Sequence, residues 1–226
     1  MRLRIMTACL CSLVFTNLGL EAQQAPPPRN VAAEDAEPEL NLVGNRFPPL
    51  EYSDLDDSQR TMVRHILEGP RTAVRGPFNM LLRSPEMGDL AQELGAYVRF
   101  NSVLPAALRE MAIIMTAAHF RAEYEWYAHE RAALSAGLEP TIVDAIAAHR
   151  RPSSMDADEA VLYDFCHELL NDRRVSDATF AAAIDAFGER GVVDVTGTLG
   201  YYSLVSLLLN VDEHPLPDGT TPQFEP

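Results

Sequence analysis

The sequence predicts a single all-α domain beyond residue 48. Apolar residues recur at helical spacing almost without a break, and no stretch shows the period-two alternation of a strand. Pro85, Pro105 and Pro140 each stand at the start of an apolar-periodic segment, where a missing N–H costs a helix nothing.

The elements follow in chain order. Arg2 and Arg4, an apolar run from Ile5 to Leu20, and Leu20-Glu21-Ala22 have the form of an export signal over residues 1–22, so a periplasmic or secreted location is expected. Residues 23–48, rich in proline and acid, read as a disordered linker. Helices are expected at about 56–69 behind the Asp56/Asp57 cap, 85–100, 105–118, 122–136 closed by Gly137, and 140–150. Three more are expected at about 156–173, 176–188 and 191–210, and Gly76-Pro77-Phe78 marks a turn. The last helix, Val192 to Val211, is apolar nearly all round and contains Gly197 and Gly200, as suits a helix buried against others or at a subunit contact. The domain is taken to end at 220, with a tail over 221–226.

Composition removes several function classes. All 18 basic residues are arginine, so chemistry that needs a lysine amine, Schiff-base or pyridoxal phosphate, is excluded. A net charge of −15 repels nucleic acid and anionic membrane, and an anionic substrate would need a local arginine. Of three cysteines, Cys9 and Cys11 lie in the export signal, leaving Cys166 without a disulfide partner and placed as a small core residue.

The chemistry concentrates in Glu110, Glu125 and His129, spaced E-x14-E-x3-H. Four residues apart on a helix, Glu125 and His129 share a face, where a carboxylate can orient an imidazole that moves protons near neutral pH. A histidine so paired is also what a satisfied core position looks like. Nothing between Ala117 and Arg121 forces a break, so pattern alone permits one long helix, with Glu110 about 28 Å from His129. No third ligand of metal-site spacing accompanies Glu125 and His129, so no metal is expected. His65, His149 and His167 read as surface or satisfied core positions, and His214 falls near the C-terminal end.

The same stretch resembles the carboxymuconolactone decarboxylase-like family, which includes alkyl hydroperoxidase D-like thiol peroxidases carrying E-x11-C-x2-C-x3-H. Counted from Glu110, the two thiol places fall on Ala122 and Glu125 and the histidine on His129, so the frame is kept without the thiols. Arg75 to Phe78, Gly137-Leu138, Gly200 to Val205 and Pro217-Asp218-Gly219 extend the resemblance to roughly residues 50–220. It implies an alkyl hydroperoxidase D-like helical bundle, a chain reversal near 118–122 that brings Glu110 to His129, and a homo-oligomer, trimer or hexamer. It further implies a carboxy-lyase of the 4-carboxymuconolactone decarboxylase type, acting on a small carboxylated lactone or keto acid without metal or organic cofactor. His129 would then donate a proton or stabilise the enolate, with Glu110 and Glu125 orienting it. Arg121 or Arg99 would hold the carboxylate and His119 would line the same space; Trp126 and Tyr127 read first as core residues, with one of them, Trp126 foremost, as an apolar wall for the substrate. An isomerase or cyclase with the same proton machinery, and a non-catalytic small-molecule binder, are the alternatives; thiol peroxidase chemistry lacks its thiol pair.

Overall fold

In the computed structural model, which describes residues 37–224, α-helices headed by Asp56, Asp156 and Ser176 begin where a side chain satisfies a first-turn N–H group. The expected export signal and the linker up to residue 36 lie outside the described residues. Asp56 accepts from the backbone N–H of Gln59 at 2.9 Å while the Gln59 side chain accepts from Asp56 N–H at 2.9 Å, a capping box that starts α1 (Asp57–Glu68). Asp156 and Glu159 repeat the device at the head of α7 (Ala157–His167). Pro85 opens α3 (Pro85–Ala96) and Pro140 opens α6 (Pro140–Ala147). The remaining helices are α2 (Phe78–Leu81), α4 (Ala106–Phe120), α5 (Glu123–Ser135) and α8 (Asp177–Asp212).

The central member is α4. Its apolar residues run round all sides, and Leu108, Met111 to Met115, Ala117 and Ala118 are buried, packed upon by α5, α6, α7 and α8. A helix apolar all round must sit inside the bundle, because no face of it can be given to water at low cost. A second apolar cluster joins α1 to α3, where Gly88 lets Leu81 and Met62 approach the α3 backbone.

The two helices expected at 176–188 and 191–210 are the two arms of α8, divided by the non-helical Gly188 at φ 68°, ψ 173°. Two details differ from the expectations. The expected helices 85–100 and 156–173 end in π-helical turns, Tyr97–Asn101 and Glu168–Asp172. Residues 37–48, expected in the disordered linker, are ordered: β1 (Leu40–Asn41) pairs in parallel with β2 (Val74–Arg75). The cause lies at the end of α8, where the fully buried Asp212 carboxylate accepts from the N–H groups of Asn45 at 3.2 Å and Phe47 at 2.8 Å. Asn79 closes the same strap by donating to the Phe47 carbonyl at 2.7 Å. The C-terminal tail is likewise docked, its Gln223 and Phe224 N–H groups bonded to the Glu123 carboxylate at 2.8 and 2.7 Å.

Candidate active site

The site depends on a reversal between α4 and α5. Arg121 takes the left-handed conformation, φ 50°, while Ala122 N–H bonds the Ala117 carbonyl at 2.9 Å and Arg121 N–H bonds that of Ala118 at 3.1 Å. This is a Schellman closure with arginine in the place glycine usually fills. It turns the chain at the expected point, so α5 returns along α4.

Glu110 of α4 thereby meets His129 of α5. Glu110 Oε2 lies 2.6 Å from His129 Nδ1, and Glu125 Oε1 lies 3.1 Å from Nε2, so the ring is held between two carboxylates. All three side chains are nearly sealed from solvent, with residue exposures of 6%, 4% and 4% for Glu110, Glu125 and His129. Burial opposes protonation of His129, but the charges and hydrogen bonds of Glu125 and Glu110 outweigh it and raise its pKa from 6.5 to about 9. At neutral pH the ring is therefore an imidazolium donating both N–H groups. The Tyr202 ring stands edge-on to it, 5.0 Å between centroids, and burial holds the Tyr202 phenol well above its ordinary pKa of 10, hence neutral.

Glu125 and His129 form part of the wall of a cavity of about 680 Å³ between α5, α8 and the loop from Pro70 to Pro77. Tyr201 and Tyr202 line it, as do Phe78 and Phe100. Four arginines also face it, Arg71, Arg75, Arg99 and Arg131, in a chain whose net charge is −15. The π-helical turn at Tyr97–Asn101 carries both Arg99 and Phe100 to this wall, in keeping with the frequency of such turns at functional sites.

Of the sequence candidates, Glu110, Glu125, His129 and Arg99 come together here. Arg121, His119 and Trp126 do not. Arg121 is the exposed turn residue and is absent from the cavity lining. His119, two residues earlier, is exposed and rests against Phe120. Trp126 points the other way into the core, edge-to-face with Phe224 at 5.4 Å, and its neighbour Tyr127 takes the cavity side. Sequence reasoning missed Arg71, Tyr201 and Tyr202 as lining residues. The two tyrosines stood out only as part of the Gly200 to Val205 segment, and Arg71 carried no signal of its own. Cys166 is fully buried between α7 and its neighbours, and burial pushes its thiol pKa up, away from reactivity.

Comparison with known proteins agrees with this architecture. The model of the Carboxymuconolactone decarboxylase family matches residues 85–162, about a third of the chain, which includes Glu110, Glu125 and His129 but not Arg71, Tyr201 or Tyr202. A solved structure of a protein of unknown function from Agrobacterium tumefaciens, described provisionally as an antioxidant defence protein AhpD, superposes with a TM-score of 0.54 at 14% identity. That match covers 63% of this chain and 99% of the other, and shows the fold. No curated protein matches the sequence significantly.

Proposed function

We propose, from the match of residues 85–162 to the Carboxymuconolactone decarboxylase family and the AhpD-like fold, that this chain is an acid-base enzyme that decarboxylates a small carboxylated lactone or keto acid. The observation that carries this reading is the imidazolium of His129 clamped between two buried carboxylates at the wall of an arginine-lined cavity. Loss of CO2 from a γ-carboxy unsaturated lactone leaves the bonding pair in the conjugated system, with charge on the lactone carbonyl oxygen. The neutral product then needs one proton at carbon. Glu125 faces the cavity and accepts from His129 Nε2, so a proton passed across that 3.1 Å contact becomes a carboxylic acid at the wall, ready for the carbanionic carbon. Glu110, fixed on Nδ1, holds the ring in place and favours its reprotonation from solvent. The cavity arginines stabilise the oxyanion, and the substrate itself is the electron sink, so the proposed chemistry requires no metal or organic cofactor.

The test is Glu125→Gln, whose side-chain oxygen can still accept from Nε2 but whose amide cannot relay the proton. CO2 release from a γ-carboxy-γ-butenolide such as 4-carboxymuconolactone should fall by about 10²- to 10⁴-fold, the usual contribution of a positioned acid. Undiminished release, or a parent protein that leaves such lactones and 2-keto acids untouched, would refute the reading.

A further inference from the structure

We propose that Arg71 is the anchor for the substrate carboxylate, so that the cavity selects a small monocarboxylate over its neutral ester. This rests on the acid-base reading above and names the group by which that site recognises its substrate.

Arg71 lies on the loop leaving α1, and a relay of side chains fixes it from behind. Its Nη1 donates to the Gln92 carbonyl at 3.1 Å and to Gln92 Oε1 at 3.5 Å. The buried Gln92 donates in turn to Asp89 Oδ1 at 3.1 Å, and His65 Nδ1 holds Asp89 Oδ2 at 2.7 Å. The guanidinium sits over two rings, 5.3 Å from the Phe78 centroid and 5.9 Å from that of Phe100. It also hydrogen-bonds Tyr201. Gly95 makes this possible: a Cβ there would fall 2.8 Å from Arg71 Nη2 and 2.2 Å from the Tyr201 hydroxyl oxygen.

The groups that touch Arg71 directly, Gln92, Phe78, Phe100 and Tyr201, are neutral, and the Asp89 carboxylate reaches it only through Gln92. Among the described residues Arg71 forms no ion pair with Asp or Glu, and burial lowers its pKa from the ordinary value. A half-buried cation held rigid without a counterion is costly unless a ligand supplies the anion. A guanidinium has five N–H groups, more than Gln92 and Tyr201 consume, and its fork matches a carboxylate. The other cavity arginines are held less firmly, since Arg75 and Arg131 are exposed and Arg99 stacks on the exposed Phe100 at 5.4 Å. Phe100, Tyr127 and Val205 offer the apolar wall for the rest of a small acid.

The probe is 5-oxotetrahydrofuran-2-carboxylate, a saturated γ-carboxy lactone that lacks the conjugation needed to lose CO2, measured by calorimetry beside its methyl ester. The parent should bind the acid more tightly than the ester. Arg71→Gln should weaken the acid by about 10- to 100-fold, the value of a charge-assisted hydrogen bond, and leave the ester unchanged. Gln92→Leu, which keeps the charge and removes its support, should lose part of the preference, and Arg121→Gln none. Equal affinity for acid and ester in the parent would overturn the assignment, as would acid binding that survives both Arg71→Gln and Gln92→Leu. Arg71→Lys, which keeps the charge without the fork, gives a second reading at the same position should Arg71→Gln not fold, and full retention of acid binding in it would overturn the fork argument. Because the probe is inert, a failure of the catalytic reading would leave this binding pattern intact.

Discussion

At Glu125 the chain carries a carboxylate where the resemblance places a thiol, and that replacement changes what the neighbouring histidine can do. A thiol pair at Ala122 and Glu125 would serve redox exchange; a carboxylate there fixes a proton on His129 instead. The clamp also ties stability to pH. The folded pKa of about 9 lies above the ordinary 6.5, so the stabilisation is fully present below pH 6.5 and is lost as pH rises through 9. The difference corresponds to about 3 kcal/mol. The melting temperature should therefore fall between pH 6.5 and 9, and fall less in Glu110→Gln, which removes one of the charges responsible; equal slopes would contradict the clamp. Glu125 and His129 were legible because a spacing of four on a helix is a contact. Arg71 was not, because its partners Gln92 and Tyr201 are distant in sequence and its neighbours carry no motif. Trp126 and Tyr127 were separable only once the tail was placed, since it is Phe224 that covers the Trp126 side of α5.

Among the elements, helix identity was legible and one junction was not. Gly137, at φ 98°, closes α5 through a bond from Leu138 N–H to the Ala133 carbonyl, and the glycine announces it. Arg121 performs the same closure after α4 with no such signal, so only the family frame indicated the reversal on which the site depends. The α8 kink has the opposite character. Gly188 adopts a conformation open almost solely to glycine, though a Cβ there would touch nothing within 4 Å. Gly188→Ala should consequently cost about 1–3 kcal/mol of backbone strain alone in chemical denaturation. A variant as stable as the parent would show that the α8 halves can straighten without loss.

Across the whole molecule, the bundle assembles an interior that no single segment contains. The family-matched residues 85–162 supply Glu110, Glu125 and His129, while the α1 loop contributes Arg71 and α8 contributes Tyr201 and Tyr202. The strap tied to Asp212 was hidden from composition, because proline and acid read as disorder unless a buried acceptor waits for the backbone. The assembled interior keeps one imidazole charged while leaving it only a few per cent exposed at the cavity wall. An NMR titration of histidine-labelled protein measures this directly. In the folded chain His129 should bear protons on both ring nitrogens up to about pH 9, and in urea it should titrate near 6.5. A folded-state midpoint at or below 6.5 would mean that burial outweighs the two carboxylates, and the account of His129 as the protonated acid of this site would be wrong.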